Sequence, residues 1–247
     1  MPSYRKILYQ VDGAVARITL NRPEKRNALD AELIGEIKDA LREAEGVVVL
    51  TGAGKDFCSG ADLAAFRDNP EAGVLKNMAD ARGMAELFLA MRRYPGPIVA
   101  VVRGRALAGG CGLATACDLI VASESAQFGY PEVNIGFLPA MVMAILRRSL
   151  PEKRAFELIV TGETLGAHAA RDAGLINRVF ADTTFDADVD AYVQKLAAKP
   201  ASAVLLSKQL LYHMDGMAFE AALEAGVQMN GIARMTDDFK RGVAKWR

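Results

Sequence analysis

The feature that most constrains the fold is an alternation of short apolar runs with segments of helical periodicity. Three of the runs are Val47 to Leu50, Pro97 to Val102 and Leu119 to Ala122, and all are rich in apolar residues, most of them branched. Runs of this length and composition are typical of buried strands. Apolar residues also recur at spacings of three and four from Leu33 to Leu41 and from Met84 to Met91, as in amphipathic helices. The alternation predicts an α/β fold.

The segments on either side of this region carry similar signals. Lys6 to Val11 and Ala14 to Leu20 read as strands, and the Asp12-Gly13 pair between them is typical of a hairpin turn. Asp30 is in a position to cap the helix that follows. The C-terminal part of the chain is mainly helical in pattern. We expect these helices to cap the core or to form an oligomer interface.

Composition narrows the class of protein. Apolar residues make up 51% of the 247 residues, which is enough for a sizeable core, and the formal net charge is zero. Zero charge argues against a general binder of nucleic acids or anionic membranes. No apolar stretch is long and uncharged enough to span a bilayer, and the three cysteines lack the spacing of a disulfide framework. We therefore expect a cytoplasmic protein that binds neither nucleic acid nor membrane.

A first glycine-rich segment runs from Thr51 to Leu63 and directly follows an apolar strand. It does not match a Walker A phosphate loop, because Val49 stands where the first glycine is required and Asp56 follows the lysine. It does not match a dinucleotide fingerprint either, since Phe57 occupies the place of the third glycine. The pattern therefore argues against a nucleotide-phosphate site.

A second glycine-rich segment, Gly104 to Ala114, leads from a strand into a helix. Consecutive glycines let the backbone approach a ligand closely and leave N–H groups at a helix N-terminus, although tight strand–helix packing favours the same residues. Two such loops, each after an apolar strand, can present backbone N–H donors to one carbonyl oxygen. Together they predict an oxyanion hole.

Four segments, in this order and at this spacing, resemble the signatures of the crotonase superfamily of enoyl-CoA hydratases and isomerases. The resemblance covers nearly the whole chain; each motif alone is only moderately specific, whereas the ordered set is a strong signal. The segments are residues 21–29 (NRPEKRNAL), residues 57–63 (FCSGADL), residues 106–118 (ALAGGCGLATACD) and residues 128–136 (FGYPEVNIG).

The resemblance implies a spiral of ββα units with a C-terminal helical region. We assign residues 1–195 to the spiral core and residues 196–247 to the helical region, which caps the core or mediates oligomerisation. The resemblance also implies a coenzyme A (CoA) thioester substrate, with CoA entering as part of the substrate and not as a separate cofactor. It implies a homotrimer or a dimer of trimers. No metal is expected, because His168 and His213 lie near no residues with metal-ligand spacing.

Carried over residue by residue, the resemblance assigns the thioester oxygen to the backbone N–H groups of Ala61 and Gly109. These donors would stabilise the charge that develops as the α-carbon becomes enolate-like, and one such donor is worth on the order of 10²–10³ in rate. The implied CoA contacts are Lys25 and Arg26 near the phosphates, Ala28 near the pantetheine, the Ser59 backbone at the adenine, and Asp62 and Leu63 in the same loop.

The sequence departs from the hydratase pattern at one catalytic position. The resemblance implies two glutamates that contact the added water; Glu132 matches the second, but the first position holds Gly112. A lone carboxylate suits Δ3,Δ2-enoyl-CoA isomerisation, in which one proton moves between two carbons. It can also serve hydration, by taking the water proton and giving it to carbon. Glu124 and Asp118 are candidate substitutes by sequence proximity only.

Reversible hydration of a 2-enoyl-CoA is therefore the expected reaction, which makes the protein a hydro-lyase of fatty acid metabolism. Isomerisation through Glu132 is the first alternative, and non-catalytic binding of acyl-CoA or RNA on the same scaffold is the second. Retention of Glu132 and of both loops favours an enzyme. Cys58 and Cys111 lie in the ligand loops, but the resemblance implies no covalent chemistry. The residues expected to line the acyl pocket are Tyr130, Leu138, Met141, Phe66 and Met84.

Overall fold

The structure of the protein is a computed structural model that describes residues 3–63 and 73–245. The strands in these ranges are β1 (Ile7–Asp12), β2 (Val15–Leu20), β3 (Val47–Gly52), β4 (Ile98–Val102), β5 (Arg105–Leu107), β6 (Leu119–Ser123), β7 (Gln127–Gly129), β8 (Thr164–Gly166) and β9 (Arg178–Phe180). The helices are α1 (Ala31–Glu43), α2 (Val74–Arg93), α3 (Gly109–Thr115), α4 (Ala140–Ser149), α5 (Glu152–Thr161), α6 (Ala167–Asp172), α7 (Phe185–Ala197), α8 (Ala201–His213), α9 (Phe219–Met235) and α10 (Asp237–Ala244), with short 3₁₀ helices at Pro23–Lys25 and Pro131–Ile135.

The main sheet has six strands in the order β1-β2-β3-β4-β6-β9. β1 and β2 form the predicted antiparallel hairpin, and all other neighbours run parallel. Val48 and Leu50 join the core cluster that includes the buried faces of α1 and α2. Val49 and Val99 face the other way, in a cluster with Phe185 of α7. Both faces of the central strands are covered, which is why their sequences are continuous apolar runs. The predicted α/β class is confirmed.

Successive turns of the chain stack beside this sheet. β5 pairs in parallel with β7, and β7 pairs with β8 in the antiparallel sense. Isolated bridges join Cys58 to Ala106 and Leu29 to Ala61, which adds two earlier segments to the same stack. This stacking is the spiral that the resemblance implied, and it brings the two glycine-rich segments side by side.

Helix α1 begins where the sequence predicts. Asp30 is extended and its side chain accepts a hydrogen bond from Leu33 N–H at 2.9 Å, which satisfies one of the free donors of the first turn. Leu33, Ile37 and Leu41 form the buried face of the helix. This packing covers the strands that precede the first glycine-rich segment.

The last three helices, α8 to α10, contain no fully buried residue in the part of the chain that the structure describes. The predicted boundary at residue 195 falls in the last turn of α7, which still packs on the main sheet. No helix within the described ranges is both long and apolar enough to cross a membrane. On helices α8 to α10 several large apolar side chains remain exposed: Leu211, Phe219, Leu223, Val227, Ile232, Met235, Phe239 and Val243.

A shielded ion pair attaches α8 to the core. Lys208 Nζ is 2.7 Å from Asp118 Oδ2, and the two side chains are only 9% and 13% exposed. Asp118 also accepts hydrogen bonds from Ile98 N–H, at 2.7 Å, and from the Tyr212 hydroxyl. Lys208 donates further to the Gly96 carbonyl at 2.9 Å. The Asp118 carboxylate is occupied by these contacts, so it is not free to replace the glutamate that the resemblance implies at position 112.

We expect Asp118→Ala to lower the free energy of unfolding by about 3–5 kcal/mol, because it leaves the shielded charge of Lys208 without the opposite charge of Asp118. Chemical denaturation at neutral pH measures this loss. The matched control is Asp190→Ala, which removes the partner of Arg17 in a pair whose aspartate is 67% exposed. That change should cost at most about 1 kcal/mol. Equal losses in the two variants would contradict the proposed anchor.

Candidate active site

The two glycine-rich segments meet where the second one enters α3. A Cβ atom built on Gly60 would lie 2.8 Å from the Ala108 Cβ and 3.1 Å from the Gly109 nitrogen. Gly60 also has a φ of +97°, a region that disfavours any other residue. A Cβ on Gly109 would lie 3.7 Å from the Ala61 nitrogen. The backbone nitrogens of Ala61 and Gly109 therefore border the same small space.

Neither of these N–H groups has a backbone acceptor among the described residues. In the bridge between Leu29 and Ala61, the hydrogen bonds run from Leu29 N–H to Gly60 O (2.8 Å) and from Asp62 N–H to Leu29 O (2.9 Å). The Ala61 N–H takes no part in either bond. Gly109 is the first residue of α3, where N–H groups have no intrahelical acceptor. Two adjacent donors of this kind can bind one oxygen that carries developing negative charge.

Ala108 has an unusual backbone conformation at this junction, with φ 52° and ψ −133°. Such a conformation costs on the order of 1–3 kcal/mol in a residue other than glycine and persists only where its surroundings impose it. Here the Ala108 N–H donates to Gly129 O at 2.8 Å, and the Ala108 carbonyl accepts from Gly112 N–H at 3.0 Å. The strained residue turns the chain from β5 into α3 and brings Gly109 next to Ala61.

Glu132 lies in the 3₁₀ helix Pro131–Ile135 and is only 8% exposed. Its Oε2 atom is buried and has no hydrogen-bond partner among the described residues. Burial raises the pKa of its carboxyl above the usual value of 4.5. Burial and, to a smaller extent, the charge of Glu132 raise the pKa of Cys111 in α3 to about 11. A raised pKa and an unused oxygen are typical of a general acid or base.

The residues predicted to contact CoA lie on two neighbouring segments. Ser59 N–H donates to Arg26 O at 3.0 Å, and Lys25 Nζ is 3.7 Å from Asp62 Oδ2. These contacts bring the first two sequence motifs together, while their contacts with CoA remain a prediction. Exposure differs along the two segments: Lys25, Arg26 and Leu63 are exposed, Ser59 and Asp62 are partly buried, and Ala28 is buried.

Arg22 holds these two segments together, and sequence reasoning missed it. Its guanidinium is 3.0 Å from both Asp30 Oδ2 and Asp62 Oδ2, and it donates to the Ala28 carbonyl at 2.5 Å. The side chain is only 9% exposed. No local signal could have identified it, because Asp62 lies 40 positions away in the chain.

Asn27 has a related role that was also missed. It is fully buried, and its Nδ2 donates to the carbonyls of Ala53 and Asp56 at 2.9 Å each. Its Oδ1 accepts from the backbone N–H of Arg22 at 2.9 Å. Asn27 has a φ of 55°, a left-handed conformation that asparagine tolerates better than most residues. An asparagine inside a tight turn was the one sequence signal that could have pointed to this role.

Other candidate chemistry finds little support in this geometry. Glu124 lies at the surface, with its Oε1 atom 3.6 Å from His168 Nε2, and within residues 3–63 and 73–245 no hydrogen bond or ion pair joins it to Glu132. Burial raises the pKa of the Cys58 thiol to about 12, which makes it a poor nucleophile at neutral pH. Within residues 3–63 and 73–245, no three His, Cys, Asp or Glu side chains are grouped as a metal site would require.

The residues predicted to line the acyl pocket have different positions. Tyr130 is fully buried in the core, with its hydroxyl 2.8 Å from Thr115 Oγ1, so it presents no surface to a ligand in this structure. The Met84 methyl lies 3.6 Å from the position of a Cβ on Gly109, beside the two N–H donors. The remaining candidates are Leu138, which is exposed, Met141, which is partly buried, and Phe66, which lies outside the described residues.

Comparison with known proteins identifies the family. The family described as enoyl-CoA hydratase/isomerase matches residues 10–247. A Thermus thermophilus protein named "Putative enoyl-CoA hydratase" is 39% identical over 236 residues, which cover 94% of this chain and 93% of that protein. The 2,3-dehydroadipyl-CoA hydratase of Escherichia coli is 34% identical over 241 residues, which cover 93% and 91%. A crystal structure of enoyl-CoA hydratase from Mycobacterium smegmatis matches with a TM-score of 0.93 at 33% identity, over 98% of this chain and 96% of that one. The chain therefore belongs to the enoyl-CoA hydratase/isomerase family and is an enzyme of the crotonase superfamily.

Proposed function

We propose that the protein catalyses the reversible hydration of a 2-enoyl-CoA. The observation that carries the proposal is that the protein has two adjacent unused N–H donors, on Ala61 and Gly109, and a buried carboxyl with an oxygen that lacks a partner among the described residues, on Glu132. The donors suit an oxygen that becomes an enolate oxygen, and the carboxyl suits proton transfer at carbon. Relatives named as hydratases support the same reaction class.

In this mechanism the thioester oxygen accepts hydrogen bonds from both N–H groups. Glu132 takes a proton from a water molecule while the water oxygen bonds to the β-carbon of the substrate. The electron pair of the double bond moves toward the thioester oxygen and gives an enolate. The protonated Glu132 then gives its proton to the α-carbon, and the thioester carbonyl forms again. One water has been added, and Glu132 is again a carboxylate.

The CoA part of the substrate is proposed to lie along the two segments that Arg22 joins. Lys25 and Arg26 are exposed cations suited to the CoA phosphates, and Ala28 offers a small wall for the pantetheine. The adenine is proposed to face the Ser59 backbone. Asp62 and Leu63 continue the same loop.

Isomerisation of a 3-enoyl-CoA is the second candidate, and one observation favours it. Position 112 is a buried glycine, so α3 contributes no second carboxylate to the site. In isomerisation Glu132 would remove a proton from the α-carbon and return it to the γ-carbon, while the same N–H donors hold the dienolate. One carboxylate suffices for this reaction.

Assembly as a homotrimer or a dimer of trimers is proposed on the apolar surface of the C-terminal helices. Phe219 and Met235 are both 72% exposed, and Val227 is 65% exposed. Contiguous exposed apolar surface typically marks a protein interface. A cytoplasmic location and a role in fatty acid metabolism remain predictions.

We expect Glu132→Gln to lower the hydration rate of crotonyl-CoA by about 10²–10⁴, because a general acid/base contributes that much. The loss of the conjugated enoyl-thioester absorbance measures the rate. The matched control is Glu124→Gln, which changes an exposed glutamate and should leave the rate unchanged.

Each other result of this assay has a defined meaning. An unaffected rate in Glu132→Gln would contradict the role of this carboxyl. If the unmodified protein leaves crotonyl-CoA unchanged but raises the absorbance with a 3-enoyl-CoA, the isomerase is correct. Inactivity with both thioesters, together with measurable binding of acyl-CoA or RNA, would favour the non-catalytic alternative.

The pKa of Glu132 predicts a pH dependence of both activity and stability. Hydration needs the carboxylate, so kcat/KM should fall on acidification with a midpoint above the 4.5 of an ordinary glutamate.

The raised folded-state pKa of Glu132 also makes the stability of the protein depend on pH. The stability that this group contributes to the folded state is complete below its unfolded-state pKa and is lost as pH rises through its folded-state pKa. Glu132→Gln should therefore unfold at a higher temperature than the unmodified protein at pH 8, by a margin that shrinks toward pH 4. A margin independent of pH would contradict the raised pKa.

A further inference from the structure

Gly112 lies at the centre of a contact between α3 and α4. A Cβ built on Gly112 would lie 2.3 Å from Val142 Cγ2 and 3.3 Å from both Val142 Cβ and Cγ1. Side-chain carbons do not approach each other to 2.3 Å, so no residue larger than glycine fits at position 112 unless Val142 moves. Position 112 thus holds no glutamate, and the Val142 side chain occupies the space that a glutamate side chain there would need.

Val142 is held firmly in this position. It is 4% exposed and lies one turn before Leu146, which is fully buried on the same face of α4. A valine in a helix has one strongly preferred rotamer, so its methyl groups cannot simply swing aside. The Val142 methyl therefore belongs to the packed core on this side of α3.

The contact also lies close to the reacting groups. Gly112 follows Gly109, the second N–H donor, by three positions, and residues at this spacing neighbour each other on one side of a helix. The charge of Glu132 contributes to the raised pKa of Cys111, which is next to Gly112. Helix α4 itself follows shortly after the 3₁₀ helix that carries Glu132.

We propose that Val142 is a specificity-determining residue that restricts this site to one carboxylate. Its methyl group occupies the space that a side chain at position 112 needs, and it makes this wall of the site apolar. Among the described residues, proton transfer is therefore left to Glu132. The inference rests on the proposed function, in which Glu132 acts on the acyl-CoA, and it names the residue that sets how many acid/base groups take part.

Thermal unfolding of alanine variants tests the contact without introducing charge. Gly112→Ala should lower the melting temperature while Val142 is present, but should leave it unchanged or raise it in the Val142→Ala background. The matched control is Gly35→Ala in α1, where a new Cβ meets no atom within 4 Å and should raise the melting temperature. The proposal is overturned if Gly112→Ala raises the melting temperature with Val142 intact, as the control does.

The chemical consequence is tested with Gly112→Glu, alone and combined with Val142→Ala. The ratio of crotonyl-CoA hydration to 3-enoyl-CoA isomerisation should rise by about tenfold or more in the double variant relative to Val142→Ala. Gly112→Glu alone should show no such rise. The same rise with Val142 in place, or an unchanged ratio in the double variant, would overturn the proposal.

Two further variants separate this inference from the proposed function. Leu146→Ala combined with Gly112→Glu controls for loosened packing of α4 and should show no rise in the ratio; a rise equal to that with Val142→Ala would overturn the proposal. If Glu132→Gln leaves the activity of the unmodified protein intact, the proposed function fails. The melting temperatures of the alanine variants still decide whether Val142 blocks position 112.

Discussion

Direct contact between the two glycine-rich segments is the constraint on which the site depends. Gly60 lies against Ala108 and Gly109 with no space for a side chain. The N–H groups of Ala61 and Gly109 come from segments that a strand and a helix separate in the chain, so only this contact sets them side by side. The stacked bridges fix the register of the segments, and the ion pair between Arg22 and Asp62 holds the first glycine-rich segment in place. The strain at Ala108 is consistent with a backbone held for ligand binding.

The burial of Glu132 gives the site its chemistry at the expense of stability. An ionised carboxyl in a dehydrated position is unfavourable unless it is fully hydrogen-bonded, and Oε2 has no partner among the described residues. The same dehydration raises the carboxyl pKa, which suits the proton transfer to carbon that we propose for Glu132. Val142 on α4 adds an apolar wall to the site. A second carboxylate in its place would not make the burial of either carboxyl less unfavourable. Stability and function therefore make opposite demands at this position.

Elements with local signals could be predicted from the sequence. The hairpin of β1 and β2, the Asp30 cap and the buried parallel strands were found because each depends on residues close together in the chain. The ordered motifs led to the family for the same reason. Three contacts could not be predicted: the ion pair of Arg22 with Asp62, the contact of Val142 with Gly112, and the Lys208–Asp118 anchor. Each joins residues far apart in sequence that only the folded spiral brings together.

The central claim is that Ala61 and Gly109 donate two hydrogen bonds to the thioester oxygen. Isotope-edited infrared difference spectroscopy tests it directly, with crotonyl-CoA labelled with carbon-13 at the thioester carbonyl and bound to Glu132→Gln to prevent turnover. Two hydrogen bonds polarise the carbonyl, so its stretching band should move to lower frequency on binding than in water. A bound ligand whose carbonyl band stays at its solution frequency would contradict the account.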